Sequence, residues 1–276
     1  MRRSLLRSRA PAAASADKIR NAMSATAVEI WFVDLDAAEA VLERAEIETP
    51  RLSREDLVEI ARLVHAERRS ERRLSRIALR LLIARAARDG RYDGVALTRS
   101  ASGRPSIAGA PFDFSVSHAA GYALLGLAHG GNARIGVDLE GLRDLAMSDE
   151  RRRRIVAAAE VPGGAPRSKS APVDIADVLD AWVRLEALAK ASGRGMARVL
   201  SEAGVIGGRN ATRGGPGEHP LATFAVDRIA LEESGSRSLF AAVASWPASD
   251  NLPRQARRFP QTAEALRDWL QSGPPR

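Results

Sequence analysis

The chain has 276 residues, of which 45% are hydrophobic, so it can form one large or two small domains with a buried core. Its formal net charge of +8 favours an anionic partner, such as nucleic acid, a phosphate-rich cofactor, an acidic protein or a membrane surface. The absence of cysteine excludes disulfides, thiol catalysis and thiolate metal sites, and no apolar run approaches the roughly 20 residues of a transmembrane helix.

The first third of the chain contains one predicted strand and one long predicted helix. Residues 1–26 are rich in Arg, Ala and Ser, so we expect a disordered extension, or a start codon assigned too early with Met23 as the alternative. Residues 28–35 are β-branched and aromatic and predict a buried strand. Residues 57–88 have helical periodicity. The apolar face of this predicted helix comprises Leu74, Ile77, Ala78, Leu81 and Ala84.

The polar face of this predicted helix carries arginine at every fourth position, at Arg72, Arg76 and Arg80. A planar guanidinium suits phosphate, and a rigid helix would hold such a stripe in place. A stripe of charges is, however, more often a solvated face. Both interpretations stay open from the residues alone.

A loop and a histidine follow. Arg104 lies in a Gly-Arg-Pro loop, and residues 112–118 form a strand-like run that ends in Ser117 and His118 before a turn. His118 and neighbouring N–H groups could face a pyrophosphate there, although a lone histidine is more often structural. We expect residues 122–128 to form a strand that continues, through a turn after His129, into the next strand as a hairpin.

The next two segments bring charged side chains together. In residues 133–140, apolar residues alternate with Gly136, Asp138 and Glu140, which is the period of a half-buried strand with both carboxylates on one side. In residues 182–190, Glu186 and Lys190 are four apart in a helical run and share a face, with Trp182 one turn earlier. We expect the interval 141–178 to be irregular.

The rest of the chain predicts a second pair of strands. Residues 204–220 are Gly-rich and predict a loop. Residues 222–231 and 239–246 predict strands joined by a turn at 232–236. The remaining tail contains one short amphipathic helix, predicted at residues 263–270 with Leu266 and Trp269 on its apolar face.

Three carboxylates close in space repel one another, and a bound cation is the usual resolution. Oxygen ligands without cysteine favour Mg²⁺, which commonly holds a phosphate. The chain has three lysines, Lys18, Lys169 and Lys190, among 42 basic residues. Lysine can release a proton at working pH and arginine cannot, which suggests a proton or phosphate role for Lys190. An Asp-x-Glu strand face or a Glu/Lys helix pair is, taken alone, more often an ordinary surface feature.

In order and spacing, these segments resemble the Sfp-type 4′-phosphopantetheinyl transferase family. Its signature reads Gly-[Ile/Val]-Asp-[Ile/Leu]-Glu and, further on, Trp-x-x-[Lys/Leu]-Glu-Ala-x-x-Lys-x-x-Gly-x-Gly, which residues 136–140 and 182–195 match. The helix of Arg76, the Gly-Arg-Pro loop of Arg104 and the segment ending in Ser117 and His118 resemble further motifs of the family.

The resemblance implies an α+β fold of two similar halves, a pseudo-dimeric arrangement with the active site at their junction. The halves would be residues 27–132 and 133–248, followed by a C-terminal tail at 249–276. It also implies a cytoplasmic, monomeric, Mg²⁺-dependent transferase without a nucleic-acid or membrane partner. Such an enzyme moves the 4′-phosphopantetheine arm of coenzyme A to a serine of an acidic apo acyl or peptidyl carrier protein and releases 3′,5′-ADP.

The resemblance also implies roles for individual residues. Asp138, Glu140 and Glu186 would bind Mg²⁺. Glu186 would take the serine proton, directly or through a water, while Lys190 would stabilise or protonate the departing phosphate. The contacts to coenzyme A would come from Arg76, Arg104, Ser117, His118 and Lys190.

Other classes of function stay open. A basic nucleic-acid-binding protein would explain the charge, but aromatic residues are only 4% and the acids would have no role. Another Mg²⁺-dependent phosphoester enzyme would use the same acids, although such sites generally need a metal pair and more carboxylates. An inactive relative is a third possibility, because Leu185 and Ala119 differ from the residues of many family members; neither position is a predicted metal ligand. The sequence does not distinguish among the biosynthetic pathways that use carrier proteins.

Overall fold

A computed structural model of the chain describes residues 27–100, 102–160, 173–206, 221–231, 238–248 and 252–273. The predicted N-terminal extension, most of the predicted loop at 204–220 and the predicted turn at 232–236 lie outside the described residues. The described residues form a mixed α+β fold with seven α-helices and nine strands. None of these helices is both long and apolar enough to cross a bilayer.

The elements alternate between strands and groups of helices along the chain. The strands are β1 (Val28–Asp34), β2 (Thr98–Arg99), β3 (Pro105–Ser106), β4 (Phe112–Ala119), β5 (Tyr122–His129), β6 (Arg134–Gly141), β7 (Ala225–Arg228), β8 (Leu239–Trp246) and β9 (Arg257–Arg258). The helices are α1 (Leu35–Glu48), α2 (Arg54–Ala61), α3 (Ala66–Ala87), α4 (Asp149–Ala158), α5 (Ile175–Ser192), α6 (Met196–Glu202) and α7 (Ala263–Ser272).

The first sheet, with strand order β4-β5-β1-β9, is buried on both faces. Trp31 and Val33 of β1 pack against α1, α3 and α7, whereas Ile30 and Phe32 face the second sheet. Because side chains alternate along a strand, a single buried strand contributes to two hydrophobic layers. This explains why residues 30–33 are all apolar instead of alternating with polar residues.

The second sheet, with strand order β6-β8-β7, lies between the first sheet and α5. Ile135, Val137 and Leu139 of β6 pack toward the first sheet. The opposite face packs against α5 at Ala187 and Ala191. Helices α4 and α6 cover the outer side of α5. The layers are therefore helices, first sheet, second sheet and helices.

Both sheets have the same connection order. In each, the first strand pairs antiparallel with the third, which pairs antiparallel with the second: β1-β5-β4 and β6-β8-β7. Helices α1–α3 separate β1 from β4, and α4–α6 separate β6 from β7. The same order of strand, helices, strand and strand thus occurs twice along the chain.

The predicted hairpin between β5 and β6 is wrong. These strands lie in different sheets, and the hairpin partner of β5 is β4. The apolar faces of β5 and β6 stack instead of pairing edge to edge. A Cβ atom added at Gly126 of β5 would lie 2.7 Å from Val137 Cγ1 and 2.9 Å from Ile135 Cδ1, so glycine permits this close approach.

Helix boundaries differ from the predictions where capping residues were overlooked. The single helix predicted at 57–88 is two helices, because the chain leaves helical geometry after Ala61 and His65 is extended before α3 begins. Helix α2 also begins earlier than predicted, at a capping box formed by Ser53 and Asp56. The interval 141–178, predicted to be irregular, contains α4, whose first turn is capped by the Ser148 side chain. The sequence reading also missed α1, which is capped by Asp34.

The C-terminal segment packs with the first sheet. Strand β9 runs parallel to β1, and Phe259 is buried with Trp269 in the same hydrophobic layer. The predicted helix at 263–270 is confirmed as α7, with Leu266 and Trp269 buried. Strand β7 is shorter than the predicted 222–231, but its antiparallel pairing with β8 is as expected.

Helix α5 lies directly on β6 at Gly136. A Cβ atom at this position would overlap Ala187 O and would lie 2.5 Å from Ala191 N, both of which are backbone atoms of α5. Backbone atoms cannot move aside as a flexible side chain can. Gly136 therefore sets the spacing between β6 and α5, the elements that carry the acidic residues.

We expect Gly136→Ala to lower the free energy of unfolding by about 3 kcal/mol, because the added methyl group must push α5 away from β6. Urea denaturation of the wild type and the variant measures this loss. Gly131→Ala is the matched control, since an added Cβ there would meet nothing within 4 Å. Equal stability of the two variants would contradict the close packing at Gly136.

Candidate functional site

Asp138, Glu140 and Glu186, the carboxylate cluster, lie together between β6 and α5. Asp138 and Glu140 share one face of β6, and Glu186 reaches them from α5. One oxygen atom from each side chain lies within 4.8 Å of the other two. Asp138 and Glu140 thus share a face, as the strand period predicts, and Glu186 lies beside them, as the motifs taken together led us to expect.

Asp138 is the buried member of the carboxylate cluster, with 2% of its surface exposed. Its Oδ1 accepts hydrogen bonds from Lys190 Nζ at 2.7 Å and from Ser117 Oγ at 2.8 Å. Its Oδ2 is buried and has no hydrogen-bond partner among the described residues. Burial raises the pKa of Asp138 to about 6, while Lys190 opposes this rise and Glu186 adds to it. A buried carboxylate oxygen without a partner is costly, and a cation would satisfy it.

Lys190 is held by several acceptors at once. Besides Asp138, its Nζ donates to Ser117 Oγ at 3.1 Å and to Val137 O at 3.2 Å. It also lies 3.8 Å from Glu186 Oε1. The ammonium group thus lies beside the carboxylate cluster in a fixed position, where it can interact with an anion bound to the same site.

The other two acids are more accessible. Glu186 accepts a hydrogen bond from Trp182 Nε1 at 2.9 Å, as expected from residues one helical turn apart. Glu140 forms an ion pair with Arg143, whose Nη2 lies 3.2 Å from its Oε1. The side chains of Glu140 and Glu186 are 20% and 29% exposed, so both can exchange these partners for a ligand.

The carboxylate cluster opens into a cavity of about 330 Å³, the main cavity. Lys190 borders the acidic wall, and Arg72, Arg76 and His118 line the same space. A second cavity of about 230 Å³ shares Glu186 and Lys190 with it. The main cavity therefore combines acidic oxygens, which suit a metal ion, with cations that suit phosphate.

Two of the three arginines in the α3 stripe, Arg76 and Arg80, are buried, so the stripe is not a solvated face. Arg80 is 1% exposed, and its guanidinium bonds to Asp56 and, at 2.7 Å, to Val95 O, so it is not available to a ligand. Arg76 is 4% exposed and lies 3.3 Å from Asp56 and 3.4 Å from Glu59. The atom that lies near Asp56 is Nη1, which is buried and makes no hydrogen bond with the described residues. The Arg76 side chain also lines the main cavity. Arg72 lines the main cavity as well.

The remaining predicted ligand-binding residues divide into two groups. Ser117 and His118 line the main cavity from β4. Burial, followed by the charge of Arg72, lowers the pKa of His118, so its imidazole is neutral near pH 7. Of these two cavities among the described residues, Arg104 borders the second, and its guanidinium bonds to Asp113, Lys190 O and Ile135 O. The structure thus places Arg104 apart from Arg76 and His118.

Sequence reasoning missed Asp113 and Ser115, whose side chains accept hydrogen bonds from the backbone of β6. Asp113 Oδ2 accepts from Ile135 N at 2.8 Å, and Ser115 Oγ accepts from Val137 N at 3.1 Å. Together with Ser117 they form an alternating row of polar side chains in an otherwise apolar strand. This alternation was the available signal.

Comparison of the sequence with models of known protein families and with curated proteins finds no match. The functional conclusion therefore depends on the motifs and on the geometry of the site.

The raised pKa of Asp138 predicts how stability varies with pH in metal-free buffer. Between about pH 4 and 6 the native state retains a proton that the unfolded state has lost, so the free energy of unfolding should fall as pH rises through this window. The contribution is about 1.4 kcal/mol per pH unit at most. Urea denaturation of wild type and Asp138→Asn from pH 4 to 7 isolates this contribution as the difference between the two slopes, and saturating Mg²⁺ should remove the decrease. Identical slopes without metal would contradict the raised pKa.

Proposed function

We propose that the protein is a Mg²⁺-dependent 4′-phosphopantetheinyl transferase of the Sfp type. It moves the arm of coenzyme A to a serine of an apo acyl or peptidyl carrier protein and releases 3′,5′-ADP. The main support is that one cavity joins the carboxylate cluster to Arg72 and Arg76 of α3. In this cluster, Asp138 Oδ2 has no hydrogen-bond partner in the part of the chain that the structure describes. Acidic ligands beside guanidinium groups suit a metal-bound pyrophosphate.

The proposal includes two similar halves with the active site at their junction. Two observations support it: the repeated connection order of the sheets, and the origin of the residues that line the main cavity. Arg76 and His118 come from the part of the chain before residue 132. Asp138, Glu186 and Lys190 come from the part after it.

The donor set fits Mg²⁺. Asp138, Glu140 and Glu186 offer carboxylate oxygens within 4.8 Å of one another, and Mg²⁺ prefers oxygen ligands. These residues would hold the ion, which when bound would neutralise charge on the pyrophosphate during transfer.

In the proposal, Glu186 acts as the general base. One of its oxygens accepts the Trp182 indole hydrogen, and the side chain lines both cavities. In the proposed step, Glu186 takes the proton of the carrier serine directly or through a water, and the serine oxygen bonds to the phosphorus that bears the pantetheine arm. The bond from that phosphorus to the oxygen of 3′,5′-ADP breaks, and Lys190 stabilises or protonates the departing phosphate.

The phosphates of coenzyme A would contact α3 and β4. Arg76 and Arg72 both line the main cavity, and their guanidinium groups would pair with phosphate oxygens there. Neutral His118 can donate one ring N–H to a phosphate oxygen. Arg80 is excluded from this role by its buried pairing with Asp56.

The alternatives have less support. A nucleic-acid-binding surface would use the whole α3 stripe, but Arg80 is buried in its pair with Asp56, and Arg72 and Arg76 line a cavity that also contains the carboxylate cluster. A nuclease or phosphatase with a metal pair needs more acids than the single carboxylate cluster found among the described residues.

The proposed function is tested by incubating the protein with Mg²⁺, coenzyme A and a panel of apo carrier proteins, followed by mass spectrometry of the carriers. We expect at least one carrier to gain the phosphopantetheine mass. Asp138→Ala should abolish the gain while keeping the circular dichroism spectrum of the wild type. Unmodified carriers throughout the panel would contradict the proposal.

We expect Lys190→Arg to lower turnover at least tenfold, about 1.4 kcal/mol in the activation barrier. A guanidinium keeps the charge, but it is wider than an ammonium and does not release a proton readily, and Nζ sits among three acceptors at 2.7–3.2 Å. Steady-state kinetics and a separate coenzyme A titration distinguish turnover from binding. Wild-type turnover in the variant would show that positive charge alone suffices.

A further inference from the structure

On the edge of β6 that faces away from β8, the backbone N–H and C=O groups of Ile135 and Val137 form hydrogen bonds with side chains instead of with a neighbouring strand. Ile135 N and Val137 N donate to Asp113 and Ser115 of β4. On the acceptor side, Ile135 O receives Arg104 Nη2 at 3.1 Å and Val137 O receives Lys190 Nζ at 3.2 Å. Buried backbone groups require partners, so these four side chains complete a strand edge that would otherwise be costly.

The side chain of Arg104 forms hydrogen bonds with three different secondary-structure elements. Its Nε donates to Lys190 O at 2.7 Å, and its Nη2 bonds to both Asp113 and Ile135 O. One guanidinium thus joins the loop after β2 to β4, β6 and α5. Lys190 is in the last turn of α5, where carbonyl groups lack partners within the helix and a cation is favoured.

Arg104 and Asp113 form a largely buried ion pair, and this burial fixes the geometry of their contact. The side chains of Arg104 and Asp113 are 12% and 7% exposed, and charge-assisted hydrogen bonds with little access to water are strong and directional. Lys190 is consequently held twice against β6: its carbonyl through Arg104 and its ammonium through Val137 O.

We propose that Arg104 and Asp113 form a positioning pair that sets the register of β6 against β4 and α5, and thereby the spacing of Asp138, Glu186 and Lys190. Neither residue contacts coenzyme A in this proposal, although the resemblance to the transferase family implies a ligand role for Arg104. The part that concerns coenzyme A rests on the proposed function; the positioning role does not.

A double-mutant cycle tests the pair, with Mg²⁺ alone as the probe. Arg104→Ala, Asp113→Ala and the double variant are titrated calorimetrically with Mg²⁺ at a temperature where each is folded. We expect each single change to weaken Mg²⁺ binding at least fivefold, and the double change to weaken it no more than twofold beyond the worse single change, because both remove the same contact. Arg91→Ala is the control, since its pair with Asp89 is exposed, and its Mg²⁺ affinity should equal that of the wild type. Additive losses would overturn the proposal.

A second titration, with coenzyme A in metal-free buffer, separates positioning from ligand contact. We expect Arg104→Ala and Asp113→Ala to bind coenzyme A within twofold of each other. A tenfold loss confined to Arg104→Ala would overturn the proposal and make Arg104 a ligand-binding residue. Wild-type protein that binds no coenzyme A in either the absence or the presence of Mg²⁺ would reject the proposed function, while the Mg²⁺ cycle would still decide the positioning role.

A third measurement is independent of both ligands. The indole N–H resonance of Trp182, assigned with Trp182→Phe, reports the contact with Glu186. The milder changes Arg104→Lys and Asp113→Asn serve here if the alanine variants do not fold. We expect both to shift this resonance in the same direction and without additivity. An unshifted resonance in both variants would contradict a positioning role.

Discussion

Strand β6 has two edges, and only one of them pairs with another strand among the described residues. Side chains of β4, together with Arg104 and Lys190, supply the hydrogen bonds that the other edge needs. Because these side chains also fix β6 against the first sheet, they determine where its acidic face lies. The position of the candidate site therefore depends on the contact between two sheets that are joined here by side-chain hydrogen bonds and not by strand pairing.

Charged side chains that are costly to bury lie close together between β6 and α5. Asp138 is buried beside Glu186, and Lys190 only partly offsets the cost of that burial. The pKa of Asp138, raised to about 6, reflects this remaining cost. Gly136 lets α5 approach closely enough for Glu186 and Lys190 to reach β6. The free protein thus holds two carboxylates and an ammonium closer together than stability alone would favour, which is the condition expected of a site that binds a cation and an anion.

Local periods in the sequence predicted which side chains share a face of β6 or of α5, whereas the contact between these two elements was expected only from the motifs taken together. The two-residue period of β6 and the four-residue spacing in α5 each place side chains on one face, and both depend on neighbouring residues alone. The burial of Arg80 was not predictable in this way, because its partner Asp56 lies on a different helix. The role of Asp113 depends on β4 and β6 belonging to different sheets, whereas the sequence suggested a β5–β6 hairpin. Helix α4 was overlooked because its capping by Ser148 is a weaker signal than periodicity.

Crystals grown with coenzyme A and Mn²⁺, an ion that shares the oxygen preference of Mg²⁺ and scatters anomalously, would locate the metal and the ligand together. We expect an anomalous peak bound by Asp138, Glu140 and Glu186, with the pyrophosphate of coenzyme A on the same ion and a phosphate oxygen at Arg76. A metal bound elsewhere, or coenzyme A outside the main cavity, would contradict the assignment of this site.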